Sequence, residues 1–317
     1  MKFGHFFSAF ALIVFFLFST NCFSQDEEES ASQKNNNGKG FHAGLYIGSL
    51  FANQYTSKFY DGYGYDENGK RNDFWNADLY KSSFMYRRIV YDYGGGNGQP
   101  DQVAQALGVD PAANPKEWNF DQTDMPANMK YNPAFLIGLQ MNFGITKKDA
   151  LLLNVNASKL NLTGNFTIIV TNPLIGPQPP GNENIKTFSI TGGEQRLMFQ
   201  LGYRRILGNT EESLLNFFIE GGATVNMTKF LRNQITINNL QIDLGYYYTQ
   251  PYFPTYHAKF LSGIGFGAFA GFGLDLRANP KWTLQLLYHP AYEKINIGEE
   301  PKLSLQHAIG LRAFYNL

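Results

Sequence analysis

The feature that most constrains this chain is an alternation of apolar residues with polar residues or glycine. Apolar residues at every second position from Ile264 to Leu276 alternate with glycine at 263, 265, 267, 271 and 273. A period of two is typical of β-strands, because successive side chains of a strand point to opposite faces. Glycine at this frequency would weaken a helix. The same period predicts strands at 41–53, 133–146, 150–162, 195–207, 214–228, 261–277, 282–291 and 303–317.

The connections between these eight segments alternate between short and long. Tight turns are predicted at 146–149, 208–213 and 278–281, and longer loops at 54–132, 163–194, 229–260 and 292–302. Transmembrane β-barrels combine short periplasmic turns with longer extracellular loops, and their strands turn apolar residues outward and polar residues inward. The sequence therefore predicts an all-β fold, an eight-stranded antiparallel transmembrane β-barrel with short periplasmic turns and long extracellular loops.

Composition bears on the competing classes of protein. Charged residues make up 16% of the chain, against roughly 25% in an ordinary soluble domain. Lysine plus arginine number 26, as do aspartate plus glutamate, so no excess positive charge favours nucleic acid. A soluble β-sandwich is the main rival fold, with outer faces that would carry more charge than these.

The N-terminus predicts export. A short basic segment at 1–5, an apolar run at 6–18 and a cleavage region at 19–24 form the pattern of a secretory signal peptide at 1–24. A lipid attached to Cys22 is the alternative. Residues 25–39 are predicted to be an acidic and polar disordered segment, and 40–317 the barrel. The single cysteine lies in the predicted signal, so the mature chain is expected to have no disulfide.

Aromatic residues mark one level of the predicted barrel. Phe143, Tyr203, Trp282 and Tyr315 lie on the apolar faces of four strands, a few residues from the short-turn end. Outer-membrane barrels carry such a girdle of aromatic residues at the membrane interface. The pattern therefore favours a barrel embedded in the cell outer membrane.

Three stretches carry a resemblance to known proteins. They are Cys22-Phe23-Ser24-Gln25, the strand sequence FIEGGA at 218–223 and the C-terminal GLRAFYNL at 310–317. With these features the chain resembles the small eight-stranded outer-membrane β-barrel proteins, in particular the Bacteroidota-type outer-membrane protein β-barrel family. The last stretch is similar to the signal read by the barrel-assembly machinery, although Leu317 stands where a terminal aromatic is usual. The resemblance implies contacts with outer-membrane lipid and, through strand 309–317, with that machinery.

The inward positions predict a lumen filled by polar side chains. The interior of an eight-stranded barrel is about filled by its own side chains, which argues against a general diffusion channel. A lone carboxylate there would be costly to bury, so Glu220 is expected to pair with an arginine. A Glu220 solvated by trapped water is the alternative. The predicted lumenal ion network comprises Glu220, Arg204, Arg312 and Arg196.

The predicted outer loops are rich in aromatic residues. Exposed tyrosine and tryptophan favour contacts with proteins or carbohydrates. Loops that pack on each other as a cap are the alternative. Within the first loop, an additional strand is predicted at 83–93 and a short helix at 101–107. The candidate partner-binding residues are Tyr63, Tyr65, Trp75, Tyr91, Tyr247 and Tyr248.

No segment predicts catalysis, a cofactor or a metal site. The glycine-rich 94–98 lacks the lysine of a phosphate loop, and the oxygen-rich 66–73 fails the calcium-loop spacing and favours a hairpin turn at Asn68-Gly69. The sequence therefore predicts a non-enzymatic barrel whose loops bind an outer-membrane or surface protein, as an accessory subunit of an outer-membrane complex. The alternatives are a narrow pore or small-ligand-binding barrel, and an outer-membrane hydrolase.

Overall fold

The computed structural model describes residues 40–66, 69–171, 184–208, 213–249, 261–278, 281–298 and 302–316. The predicted signal peptide and the segment 25–39 lie outside the described residues. So do Asn68 of the predicted hairpin turn, residues 209–212 and 279–280 of two predicted tight turns, and Leu317.

Eight long antiparallel strands form a closed ring. Each strand pairs with its neighbours along the chain, and the first strand pairs with the last. Closure gives every edge a partner, which a backbone that crosses a membrane requires. The predicted eight-stranded barrel is thereby confirmed. The strands are β1 Gly40–Phe51, β2 Ala134–Gly144, β3 Asp149–Val170, β4 Asn184–Leu207, β5 Leu215–Ile237, β6 Ser262–Arg277, β7 Trp282–Lys294 and β8 Leu303–Asn316.

Three strands are longer than the other five, which have 11 to 16 residues. The 22 residues of β3, 24 of β4 and 23 of β5 exceed the roughly 9–11 that span a bilayer. Their outer halves occupy much of the predicted loops 163–194 and 229–260, so those loop predictions were wrong over these parts. A short strand at Leu240–Asp243 extends the same sheet by pairing with β5.

Part-way along these long strands, the faces that carry apolar and polar residues are exchanged. On β3, the outward residues are apolar from Leu151 to Ala157 and polar from Lys159 to Thr167, while inward asparagines give way to apolar side chains. Beyond this point the inward side chains of Leu160, Leu162, Phe166, Ile168 and Val170 are all buried. Where a strand passes from lipid into water, its outward side chains change from apolar to polar. The exchange therefore marks the extracellular surface of the membrane. The outer half of β3 therefore lacks the apolar-outward pattern of a membrane strand.

The outer halves of β3, β4 and β5 hold a core of the soluble-protein kind above the membrane. Their inward residues Phe166, Phe188 and Ile235 pack against side chains of the long 52–133 segment that connects β1 to β2. That segment contributes Phe84, Met85, Ile89, Val103, Leu107, Trp118 and Phe120. The 52–133 segment is therefore folded over the barrel as a cap.

The cap contains short helices. The helix predicted at 101–107 is confirmed as Gln102–Leu107, with the Asp101 carboxylate accepting from the backbone N–H of Ala104. The strand predicted at 83–93 was wrong, because this segment forms one helical turn, Phe84–Tyr86, continued by the π-helix Arg87–Asp92. The Ser83 hydroxyl caps the turn, which alternation alone did not reveal. In the described ranges, no helix is long and apolar enough to cross a membrane.

Candidate functional site at the outer face

The barrel wall turns its apolar residues outward. Phe217 and Leu201 are 65% and 64% exposed, and similar residues surround the ring at the same levels. Soluble monomers rarely expose apolar patches beyond a few hundred Å². The belt is therefore a lipid-facing surface, and with the closed ring it gives the architecture of an outer-membrane barrel. Other exposed members are Leu45, Ile47, Phe135, Ile137, Ile219, Ile264, Phe266, Phe272, Leu286 and Leu311.

Aromatic residues border this belt near the short turns. Phe143, Tyr203 and Trp282 all point outward and are about half exposed. Trp282 contacts Tyr315 of the neighbouring strand, with ring centroids 5.2 Å apart. The predicted aromatic girdle thus lies on the lipid-facing wall of the barrel, at the end that carries the Thr146–Asp149 turn.

The lumen is filled by hydrogen-bonded polar side chains. Asn154, Gln140 and Gln285 are at most 1% exposed, although a water-filled channel would expose them. Gln140 donates to Asn156 at 2.8 Å, and Asn156 donates to Gln200 at 3.1 Å. A cavity of about 20 Å³ beside His289 has room for about one water molecule. The lumen is therefore sealed along these residues.

The structure brings two of the four predicted ion-network residues into direct contact. Arg312 makes two hydrogen bonds to the Glu220 carboxylate, of 2.6 and 2.7 Å, and both side chains are buried. Gly271 faces this pair, and a Cβ there would lie 2.7 Å from Glu220 Cγ. Arg204 lies over the Phe314 ring instead and makes no salt bridge with a described residue.

The fourth predicted residue, Arg196, belongs to a separate network at the mouth of the barrel. Its guanidinium approaches Glu194 Oε1 at 2.7 Å through Nε and 2.6 Å through Nη2. The other oxygen of Glu194 accepts from the hydroxyls of Tyr60 and Tyr131, each at 3.0 Å. Both charged side chains are fully buried. Because Tyr60 and Tyr131 belong to the cap, this network ties the cap to the barrel wall.

The two tyrosines act as hydrogen-bond donors in this network. Burial raises the pKa of the Tyr60 phenol well above its usual value, and the neighbouring Glu194 carboxylate raises it further. The pKa of Tyr131 is raised for the same reasons. Both hydroxyls therefore keep their protons at physiological pH and stabilise the Glu194 carboxylate.

Sequence analysis missed Glu194, which lies one residue before the predicted start of its strand. The pairing of β4 with β5 shifts register between Gly193 and Glu194, a β-bulge. The extra residue is Leu231 on β5, so Glu194 keeps the inward position in the alternation that it shares with Arg196. A predicted strand that began one residue earlier would therefore have included Glu194 among the inward residues. Gly192 beside it lies against Tyr60, since a Cβ would come within 2.5 Å of that ring.

The predicted partner-binding aromatics divide into packed and exposed residues. Tyr248 is buried in the cap core, and Tyr247 stacks on the Arg87 guanidinium at 3.6 Å. Tyr63 and Tyr65 are partly buried against the same core. Trp75 is 60% exposed and Tyr91 39% exposed, and Tyr80, which was not predicted, is 62% exposed. The cap interpretation therefore describes most of the candidate residues. Rings remain exposed at Trp75, Tyr80, Tyr91 and also Tyr246, which is 41% exposed.

Comparison with known proteins adds the following. The sequence matches no protein-family model, and no curated protein is similar enough to count as a relative. Among solved structures, OprG of Pseudomonas aeruginosa is 11% identical over 89% of this chain and 99% of that chain, with a TM-score of 0.36. Neisserial surface protein A is 9% identical over 60% and 91%, with a TM-score of 0.32. Similarity at this level says nothing about the function of this chain.

The same comparison finds the attachment invasion locus protein Ail of Yersinia pestis, 8% identical over 87% of this chain and 98% of that chain, with a TM-score of 0.31. The barrel itself rests on the strand pairings and the lipid-facing belt described above. Within the described ranges, no group of three or more histidine, cysteine, aspartate or glutamate side chains is arranged to hold a metal ion.

The orientation of the barrel can be tested by labelling. A variant with Cys22→Ser, which removes the single cysteine of the sequence, provides the background. A cysteine at the exposed cap position Ala112 is expected to react with a membrane-impermeant maleimide on intact cells. A cysteine at Lys148 in the short turn should react only after the outer membrane is permeabilised. Labelling of Lys148→Cys on sealed cells would reverse the orientation.

Proposed function

We propose that this chain is a non-enzymatic outer-membrane barrel whose capped outer face binds a partner protein, as an accessory subunit of an outer-membrane complex. The observation that carries the proposal is the exposure of Trp75 and Tyr80 on a short segment of the cap. Tryptophan and tyrosine are enriched among the residues that dominate binding energy at protein interfaces. The resemblance to Bacteroidota-type barrels and the contact of strand 309–317 with the assembly machinery belong to the same proposal.

The segment that carries these rings is held in place. The Ser82 hydroxyl accepts from the backbone N–H of Asn76 at 2.8 Å, and the Ser83 hydroxyl donates to the carbonyl of Phe74 at 3.1 Å. Both serines are fully buried. Below the segment, Arg87 packs against the Tyr80 ring at 5.2 Å. A preorganised segment loses less conformational entropy on binding, which favours recognition over a flexible loop.

The sealed lumen argues against the narrow-pore alternative. The side chains that would line a pore are buried to within a few per cent and hydrogen-bonded to one another. A conducting path would require these side chains to separate, and each hydrogen bond between them favours the packed arrangement by about 0.5–1.5 kcal/mol. The outer face therefore offers the better place for recognition.

The test is purification after mild detergent extraction, with the wild type and the double variant Trp75→Ser/Tyr80→Ser. We expect a stoichiometric partner to copurify with the wild type and to be lost with the double variant. Lys81→Gln is the matched control, because its exposed salt bridge with Asp78 in the same segment contributes little. A purified wild-type barrel that has no partner and conducts ions steadily in a planar bilayer would contradict the proposal.

A further inference from the structure

A large cleft opens at the outer rim of the barrel, apart from Trp75 and Tyr80. Its volume is about 1230 Å³, somewhat above the 300–1,000 Å³ of typical small-molecule sites. One wall is the 3₁₀-helix Gln54–Tyr60 that follows β1, and another is Lys302 at the start of β8. Met129 and Ile297 contribute apolar surface. The cleft is open to the outside and lies where the strands leave the membrane.

The cleft is strongly cationic among its described residues. Four cationic side chains line it against one carboxylate, that of Asp61, which is already engaged by Arg71 at 2.7 Å. Lys58, Lys70 and Lys302 are exposed and form no salt bridge with any described residue. These three ammonium groups, without a salt-bridge partner among the described residues, give the cleft a preference for anions.

Two of these lysines are placed around one aromatic ring. The ammonium of Lys58 lies 5.7 Å from the centroid of the Tyr55 ring, and that of Lys302 lies 5.4 Å from it. A partly exposed ring supplies a flat apolar surface with a polar edge. Lysine ammonium groups bind phosphate as point charges. A ring flanked by two ammonium groups therefore suits a ligand that joins a flat, hydroxylated body to a phosphate.

The cleft also meets the lipid-facing belt. Leu303, the residue after Lys302, is 46% exposed on the outer wall, and Leu305 continues that wall. Lys302 is therefore at the level where the headgroups of the outer leaflet begin. A phosphorylated sugar reaches this position either as the headgroup of a membrane glycolipid or as a free saccharide.

The geometry points to a binding site for a phosphorylated oligosaccharide in this cleft, with Lys58 and Lys302 on the phosphate and Tyr55 against a sugar ring. The site is separate from the proposed partner surface, so the two can fail independently. Recognition of this kind is weakened by salt, because the three lysines are exposed to solvent.

The first experiment uses the full barrel in a zwitterionic detergent and a pentamannose phosphate probe, with dephosphorylated pentamannose as the control ligand. Binding is measured by isothermal titration calorimetry at two salt concentrations. We expect phosphate-dependent binding that weakens with salt. Lys58→Gln/Lys302→Gln should bind about tenfold or more weakly, a loss of about 1.4 kcal/mol or more. Tyr55→Leu should also weaken binding while leaving the salt dependence in place.

The matched control is Lys147→Gln/Lys148→Gln, which removes the same charge at the opposite rim and should bind as the wild type does. Heat-modifiable migration on gels verifies that each variant is a folded barrel.

The second experiment places the barrel in nanodiscs with and without a phosphorylated glycolipid and counts retained lipid by native mass spectrometry. If the wild type retains the glycolipid and Lys58→Gln/Lys302→Gln does not, the site exists and its ligand is the headgroup of a membrane glycolipid. If only the free probe binds, the site exists and its ligand is a soluble saccharide. Binding that is indifferent to the phosphate, equal loss in the Lys147/Lys148 control, or no binding in either experiment would overturn the inference.

Discussion

Glu194→Gln is expected to lower the free energy of unfolding by about 3–5 kcal/mol, the cost of removing one partner of a buried ion pair. The substitution keeps the shape of the side chain but removes its charge. Arg196 is fully buried and cannot give up its proton, so its charge would lose the one carboxylate with which it forms a salt bridge among the described residues. Glutamine has one acceptor oxygen in place of two, so it cannot accept from Arg196 and from the hydroxyls of Tyr60 and Tyr131 as the carboxylate does.

The measurement is reversible urea unfolding of the barrel in phospholipid vesicles, followed by tryptophan fluorescence. Because the two tyrosines belong to the cap, hydrogen exchange should also accelerate around Tyr60 more than at the short turns. Adding Arg196→Met to Glu194→Gln should recover part of the loss, since the stranded charge is then gone. A loss below about 1 kcal/mol would show that the network does not hold the cap, since that is the range of exposed pairs.

Glu220→Gln is expected to weaken the barrel by about 3 kcal/mol or more, again through a stranded buried charge. Arg312 makes both of its short hydrogen bonds to this one carboxylate. Arg312→Met alone should be similarly costly, because it leaves Glu220 buried and unpaired. The double variant should cost much less than the sum of the two, since the paired charges leave together.

The double-mutant cycle is measured in the same vesicles and denaturant. Glu293→Gln is the matched control: Glu293 is buried in the same lumen, accepts a hydrogen bond from Asn226 at 3.1 Å and makes no salt bridge with a described residue. Its loss should be clearly smaller than that of Glu220→Gln. Strictly additive losses for Glu220→Gln and Arg312→Met would show that the pair is not coupled.

The alternation of side chains was sufficient to predict the eight membrane-spanning strands. It also assigned the correct face to inward residues such as Asn154, Gln200 and Arg312, which are all buried. The odd or even position of a residue carries this information because a strand in a barrel has only two faces. The face toward lipid accepts apolar side chains, so the polar side chains of the same strand must point into the lumen. The ends of β1, β2, β6, β7 and β8 were accordingly predicted within a few residues.

Alternation failed to predict the parts of the strands that extend from lipid into water. Beyond Lys159, the strand β3 continues with polar residues outward and Leu162 and Phe166 inward. Residues still alternate with a period of two, but the polar residues now point outward and the apolar residues inward. A strand prediction that requires apolar residues on the outer face therefore stops at the membrane surface. The segment 83–93 failed for a different reason, because a capping serine and packing against the cap core favour a helix there.

By itself, then, the sequence determined the number of membrane-spanning strands, the lumenal faces and the membrane-facing belt, which follow from local periodicity. The alternation of short and long connections determined the direction of the strands. Only the tertiary structure decided the pairings between distant charges. Glu220 meets Arg312 across 92 residues of sequence, whereas Arg204 does not join them. The docking of Tyr60 on Glu194 and the clustering of Lys58 and Lys302 around Tyr55 depend likewise on how the cap closes. Contacts between side chains that are far apart in the sequence depend on how the segments pack in three dimensions. The periodicity of a single segment therefore cannot predict them.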